Sequence, residues 1–223
     1  MRKSKVISLI YFLTGILYII LQAESVVVPG IITKALIIPL LMILLFVNLW
    51  PVMTRLHWLM FAGLLFSWAG DVILEFSQNN ILIFIAGLVS FLLAHIMYLI
   101  VFFRTPGKNI ILSRRFYLII PVIICGSGLL CFLYDDLAEM RLPVIFYTIV
   151  ILTMLAGAIN RKEKVNSQSY YLVLSGAILF VISDSAIAIN KFSYPFEFSG
   201  IVIMSTYITA QYLIITGYIK QLR

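Results

Sequence analysis

Long apolar segments separated by short polar ones cover almost the whole chain. Each apolar segment is about as long as the roughly 20 residues that a helix needs to cross a bilayer. We therefore predict an all-α integral membrane protein, a single polytopic domain over residues 1–223. Its eight transmembrane helices are expected near 6–22, 31–49, 57–75, 81–103, 116–133, 142–159, 169–189 and 200–219.

The composition agrees with a membrane protein. Of the 223 residues, 63% are hydrophobic and 11% are charged, whereas soluble domains have about 45–50% apolar and about 25% charged residues. This excludes a solvated enzyme, a disordered regulator and a nucleic-acid-binding module. The net charge of +7 does not indicate nucleic acid, because the basic residues lie between the apolar segments. The expected surroundings are a lipid bilayer.

The basic residues also predict the orientation. All the lysines and arginines except Lys34, Arg141 and Lys191 fall on the side that holds both termini. The positive-inside rule places that side in the cytoplasm, so we predict a multi-pass protein of the cell (inner) membrane with both termini cytoplasmic. The basic start resembles a signal peptide, but residues 20–24 form a poor cleavage site, and a retained first helix is predicted.

A weak internal repeat relates the two halves of the chain. Gly63 precedes Asp71 by eight residues, and Gly176 precedes Asp184 by the same interval, at an offset of 113. The Ala-His pair of the fourth span and the Ala-Gln pair of the eighth match at an offset of 116. The pattern indicates two four-helix halves of the same orientation, or chance similarity in a largely apolar sequence.

A few polar side chains interrupt the apolar segments. A charge at membrane depth costs about 2.5–3.5 kcal/mol even on the lenient insertion scale, so each needs a physical reason. The ionisable ones within the spans are Lys34, Asp71, Glu75, His95 and Asp184. Other polar side chains within or next to the same spans are Ser67, Tyr98, Ser183, Asn190, Lys191, Tyr207 and Gln211.

These side chains recur at helical spacing. Ser67, Asp71 and Glu75 are four residues apart and share one face of the third span. Gly176, Phe180 and Asp184 likewise share one face of the seventh span, and a small residue on the same face as the acid permits close packing. We predict an internal polar chamber, open towards the outer leaflet and lined by the second, third, fourth, seventh and eighth spans.

Two carboxyl groups in different surroundings can serve as a neutral acid and an ionised base, which suffices for hydrolysis without a covalent intermediate. Lys34 could pair with an aspartate or meet a lipid phosphate, and His95 could shuttle protons. In the purely structural alternative, Lys34 and Asp71 form a buried ion pair, His95 bonds a neighbouring helix, and Glu75 and Lys191 are solvated helix ends.

Metal and cofactor chemistry are not predicted. One histidine, His95, lies at membrane depth, and no His-x-x-x-His or Glu-x-x-His spacing places two ligands on one face. The sequence also lacks a phosphate-binding loop and a Gly-x-Ser-x-Gly elbow.

Five segments of the chain carry recognisable motifs, and they are Thr33–Leu40, Phe66–Asp71, Phe91–Tyr98, Gly176–Ser185 and Tyr207–Leu213. Together they resemble the YhhN-type membrane proteins, which include the animal lysoplasmalogenases. In order, they are similar to the family's Lys-Pro segment, with Ala35 where proline is usual, its Phe-Ser-x-x-Gly-Asp motif, its Ala-His-x-x-Tyr motif, its Gly-Ala-x-x-Phe-x-x-Ser-Asp-Ser motif and its Tyr-x-x-Ala-Gln segment. The resemblance covers most of the chain.

The resemblance implies an eight-helix hydrolase that cleaves the vinyl ether bond of lysoplasmalogens, a class of lysophospholipid. The products are a fatty aldehyde and a glycerophospho-amino alcohol. The family's two motif aspartates, proposed as its catalytic pair, fall on Asp71 and Asp184. One would protonate the alkene carbon and the other would activate water. Lys34 near Asp71 would favour the ionised form of Asp71, so Asp184 is predicted to be the acid.

Two other classes of function are compatible with the sequence. A proton- or cation-coupled transporter of a small lipid-like or hydrophobic metabolite would use the same aspartates as a relay, although no span has the broken-helix pattern of paired glycine and proline. A scaffold would explain the small-residue stripes but not two costly intramembrane acids.

Overall fold

The structure is a computed structural model that describes residues 2–77, 80–107 and 111–221. Eight helices there are long and apolar enough to cross a membrane, which confirms the predicted number. Lys108 and Arg223, both counted in predicting the orientation, lie outside the described residues. The helices are α1 Arg2–Ala23, α2 Val27–Leu49, α3 Arg55–Glu75, α4 Ile81–Phe103, α5 Ile111–Arg114, α6 Ile120–Leu133, α7 Arg141–Ile159, α8 Ser167–Ala188 and α9 Ser199–Lys220.

Short segments of other helical types extend three of these helices. A 3₁₀ turn at Phe116–Ile119 precedes α6, and another at Ala138–Met140 precedes α7. A π-helical turn at Ile189–Ser193 continues α8. The sequence pattern predicted unbroken spans and gave no sign of this π turn, which follows Asp184 by five residues.

The chain divides into two compact units, Met1–Val101 and Phe102–Arg223. The first contains α1 to α3 and nearly all of α4, and the second contains α5 to α9. The relation between the two halves suggested by the repeat stays a prediction. Each unit is described below by itself.

In the first unit, a proline in α2 is accommodated by a tryptophan from α3. Pro39 has no N–H, so the carbonyl oxygen of Ala35 lacks its helical donor. The Nε1 of Trp68 donates a hydrogen bond to that oxygen at 2.8 Å. The bond joins α2 to α3 beside Lys34.

Glycines allow α3 and α4 to pack closely. A Cβ added to Gly63 would lie 2.5 Å from Cε1 of Tyr98, and one added to Gly70 would lie 2.7 Å from the ring of Phe91. Because such distances are far below van der Waals contact, the aromatic rings of α4 occupy the space above these glycines. The motif segments of α3 and α4 therefore lie against each other.

In the second unit, α8 and α9 approach through their backbones. A Cβ on Gly176 would lie 2.8 Å from the carbonyl oxygen of Ala210 and 2.9 Å from the amide nitrogen of Ile214. Further along α8, the hydroxyl of Ser183 donates to the carbonyl oxygen of Ile203 at 3.0 Å. The small residues of α8 thus set its distance from α9.

A buried arginine joins the ends of these two helices. Arg161 follows α7 and is fully buried, although in the sequence it lies between two apolar segments. Its Nη2 donates to Ser169 Oγ at 3.1 Å and to Gln221 Oε1 at 2.7 Å, and its guanidinium lies 5.5 Å from the ring centre of Phe102. Burial lowers the pKa of Arg161 to about 10, so the side chain stays charged at neutral pH.

Candidate active site

Four side chains from three helices form a charged cluster in the first unit. Asp71 and Glu75 lie one turn apart on α3, and Asp71 is buried with 3% of its surface exposed. Oε1 of Glu75 accepts a hydrogen bond from the hydroxyl of Tyr18 on α1 at 2.7 Å. The same oxygen forms an ion pair with Nζ of Lys34 on α2 at 2.8 Å. We call these four residues the α3 cluster.

The ion pair in the α3 cluster keeps unused hydrogen-bonding capacity. Among the described residues, both contacts of Glu75 fall on Oε1, so Oε2 accepts no hydrogen bond. The ammonium group of Lys34 has three donors, and Glu75 is its one hydrogen-bonding or ionic partner in that part of the chain. The two side chains are 11% and 22% exposed, respectively. The pair is therefore accessible to a further polar ligand.

These contacts correct two sequence-based interpretations. Lys34 was expected near Asp71, but it forms its ion pair with Glu75. Glu75 was also considered a solvated helix end, and this interpretation is wrong because its carboxylate is half-buried and holds two partners. Because Glu75 balances the charge of Lys34, Lys34 gives less reason to expect an ionised Asp71 and an acidic role for Asp184.

The other predicted residues of the first unit are fully buried. Ser67 lies one turn before Asp71 on α3, and His95 and Tyr98 lie on α4. Tyr98 packs against Gly63, so α4 presents its motif residues towards α3. These positions support the predicted interior location of the Ala-His-x-x-Tyr segment.

In the second unit, a tyrosine binds the motif aspartate of α8. The hydroxyl of Tyr147 on α7 donates to Oδ2 of Asp184, with 2.5 Å between the two oxygens. On α9, Nε2 of Gln211 donates to the hydroxyl of Tyr207 at 3.4 Å. The ring of Tyr207 meets Phe180 of α8 edge-on, with 5.5 Å between centroids.

The π-helical turn after α8 contains the remaining two predicted site residues, Asn190 and Lys191. Asn190 lies in the π-helical turn, and its Oδ1 accepts a hydrogen bond from the backbone N–H of Phe196 at 3.3 Å. Asn190 therefore shapes the connection to α9. Lys191, the next residue, is exposed.

Comparison with known proteins places the chain in a family. The model described as the YhhN family matches residues 30–218. The chain belongs to the YhhN family. This confirms the resemblance that the five motif segments indicated.

Several proteins that are similar to this YhhN-family chain carry the name lysoplasmalogenase. The Bos taurus protein named lysoplasmalogenase TMEM86A is 33% identical over 159 residues, and its Homo sapiens counterpart is 33% identical over 161. A Mycobacterium bovis protein named lysoplasmalogenase is 26% identical over 170 residues. These matches cover 69%, 69% and 75% of this chain, and the chain spans 62% of the length of each relative. No solved structure matches significantly.

Two tyrosines in this YhhN-family chain contact predicted site residues but were not themselves predicted from the sequence. Tyr18 is spaced two helical turns from Tyr11, and both are buried, so their spacing could have indicated an inward face of α1. Tyr147 stands alone in an apolar segment and gave no such signal. The predicted chamber lining accordingly omitted the first and sixth spans, which carry these tyrosines.

Proposed function

We propose that this protein is a membrane hydrolase that cleaves the vinyl ether bond of lysoplasmalogens. The products are a fatty aldehyde and a glycerophospho-amino alcohol. The observation that carries the proposal is a motif aspartate in a membrane-compatible helix of each unit, Asp71 on α3 and Asp184 on α8. The names of the relatives favour hydrolysis over transport.

The chemistry needs one proton donor and one proton acceptor. The acid transfers its proton to the outer alkene carbon, which leaves an oxocarbenium ion on the carbon bonded to oxygen. The base removes a proton from water as its oxygen adds to that carbon, and a hemiacetal forms. The hemiacetal C–O bond to glycerol then breaks, and the base returns its proton to the glycerol oxygen. The hydroxyl group of the hemiacetal gives its proton to the ionised acid, which restores the acid and leaves the aldehyde. One water is consumed for each aldehyde released.

We assign the base role to Asp184 and the acid role to Asp71. The hydroxyl of Tyr147 donates a hydrogen bond to Oδ2 of Asp184, and such a bond stabilises an ionised carboxylate more than a neutral carboxyl group. A carboxylate held in this way is oriented to activate water. The remaining motif aspartate, Asp71, then supplies the proton.

Replacing Tyr147 by phenylalanine is expected to lower kcat about tenfold, because a charge-assisted hydrogen bond to Asp184 is lost. The substrate KM should stay nearly unchanged, since Tyr147 acts through Asp184. Steady-state aldehyde release measures both constants. Tyr171→Phe, at an exposed position on α8, is the matched control. A rise in KM with constant kcat would contradict the assignment of Tyr147 as a positioning residue.

The proposal is tested by measuring aldehyde release from a lysoplasmenyl-ethanolamine by the purified protein in detergent. We expect release of one aldehyde and one glycerophosphoethanolamine per substrate consumed. The saturated 1-alkyl lysolipid, which has no vinyl ether, should release neither. A well-folded protein that leaves the vinyl ether intact would overturn the proposal.

A further inference from the structure

We propose that the Lys34–Glu75 ion pair binds the headgroup of the lysolipid, with Lys34 on the phosphate and Oε2 of Glu75 on a primary ammonium. The preferred substrate would therefore carry ethanolamine. This inference rests on the proposed function and adds a headgroup specificity to it.

The ion pair keeps unused hydrogen-bonding capacity. Oε2 of Glu75 accepts no hydrogen bond from the described residues, and Lys34 keeps donors beyond the one directed at Oε1. An ethanolamine phosphate is a zwitterion, with a negative phosphate that can face Lys34 and a positive ammonium that can face Glu75. It can bind without breaking the 2.8 Å ion pair, and each of its charges then faces a charge of opposite sign.

The spacing of Asp71 and Glu75 along α3 matches the length of the lipid's glycerol. Glu75 lies one turn beyond Asp71, a rise of about 6 Å along the helix axis. The glycerol that joins the ether oxygen to the phosphorus also spans about 6 Å when extended. A lipid whose vinyl ether lies at Asp71 therefore places its phosphate beside the ion pair.

Protein stability gives little reason for the ion pair. Apolar residues of similar volume commonly stabilise a protein as well as a buried ion pair does, and charges within a membrane are usually functional. Tyr18 holds Oε1 of Glu75 at 2.7 Å, which fixes the carboxylate and directs Oε2 elsewhere. Ethanolamine is preferred over choline because only a primary ammonium donates hydrogen bonds to a carboxylate.

The test compares four substrates that share one alkenyl chain. They are the alkenyl-glycerophosphoethanolamine, the alkenyl-glycerophosphocholine, the alkenyl-glycerophosphate without an amine, and the alkenylglycerol without phosphate. For Glu75→Gln, we expect KM for the ethanolamine lipid to rise about tenfold, the effect of one charge-assisted hydrogen bond. KM for the alkenyl-glycerophosphate should stay within about twofold of its original value.

For Lys34→Gln, KM should rise about tenfold for the three phosphate-containing lipids and stay unchanged for the alkenylglycerol. Glu24→Gln and Lys5→Gln make the same chemical changes at exposed positions and should leave all four constants unchanged. A loss of the same factor on all four lipids, for Glu75→Gln or for Lys34→Gln, would show a purely structural ion pair and overturn the proposal.

Binding of uncleavable lipids separates this inference from the proposed function. The probes are radiolabelled saturated 1-alkyl-glycerophosphoethanolamine and the corresponding 1-alkyl-glycerophosphate. Tighter binding of the ethanolamine lipid, lost in Glu75→Gln, would support the headgroup site even if no vinyl ether were cleaved. Equal binding of both lipids by the unaltered protein would overturn the headgroup site even if hydrolysis were observed.

Discussion

Replacing either Asp71 or Asp184 by asparagine is expected to lower aldehyde release about 10²-fold or more. Asparagine keeps the shape of the side chain but neither donates an acidic proton nor accepts one at neutral pH, and general acid and base groups typically contribute 10²–10⁴-fold. The measurement is kcat/KM for a lysoplasmenyl-ethanolamine. Asp135→Asn, at an exposed position in the loop before α7, is the control and should keep full activity.

The two aspartate variants should differ in their pH profiles. A base must be deprotonated to act, so rates fall at low pH, and an acid must be protonated, so rates fall at high pH. We expect Asp184→Asn to lose the fall on the acidic side and Asp71→Asn to lose the fall on the alkaline side. The reverse pattern would exchange the two roles. Full activity in either variant would remove that residue from the mechanism.

Replacing Gly176 by alanine is expected to destabilise the protein by about 1–3 kcal/mol, the typical cost of overpacking. The new methyl group would meet backbone atoms of Ala210 and Ile214 at 2.8 Å and 2.9 Å, and backbone cannot rotate aside as a side chain can. The separation of α8 and α9 must then increase. Thermal unfolding of the detergent-solubilised protein measures the change, and the midpoint should fall.

Gly128→Ala is the matched control for this prediction. Gly128 lies on α6, is exposed, and has nothing within 4 Å of an added Cβ. Alanine is preferred to glycine within a helix by roughly 0.5–1 kcal/mol, so the midpoint should stay or rise slightly. Equal effects of the two substitutions would contradict close backbone packing at Gly176.

The helices of this chain were predictable because a bilayer imposes a strong constraint. A spanning segment must satisfy its backbone internally and present apolar side chains to lipid, and both requirements are visible in a single sequence. The π-helical turn after α8 was not visible, since its five residues differ from a helical turn only in their hydrogen bonding. The 3₁₀ turn at Phe116–Ile119 was likewise included in a predicted span.

The candidate site was partly predictable. Asp71, Glu75 and Lys34 were recognisable because ionisable groups are rare within apolar segments. Which carboxylate pairs with Lys34 depends on the rotation and depth of α2 against α3, and periodicity within one helix does not contain that information. The roles of Tyr18 and Tyr147 depend on contacts between helices in the same way, and tyrosine is common in membrane helices for other reasons.

The hydrogen bond from Trp68 to the carbonyl oxygen of Ala35 makes one sequence position depend on a distant one. Position 39 can hold proline because position 68 supplies an indole donor to the carbonyl that proline leaves without its helical partner. Loss of the indole alone leaves that carbonyl unsatisfied away from water. Loss of the proline alone does not orphan the indole, because a carbonyl oxygen can accept two hydrogen bonds. The dependence therefore runs in one direction: while proline occupies position 39, position 68 needs a side chain that donates a hydrogen bond.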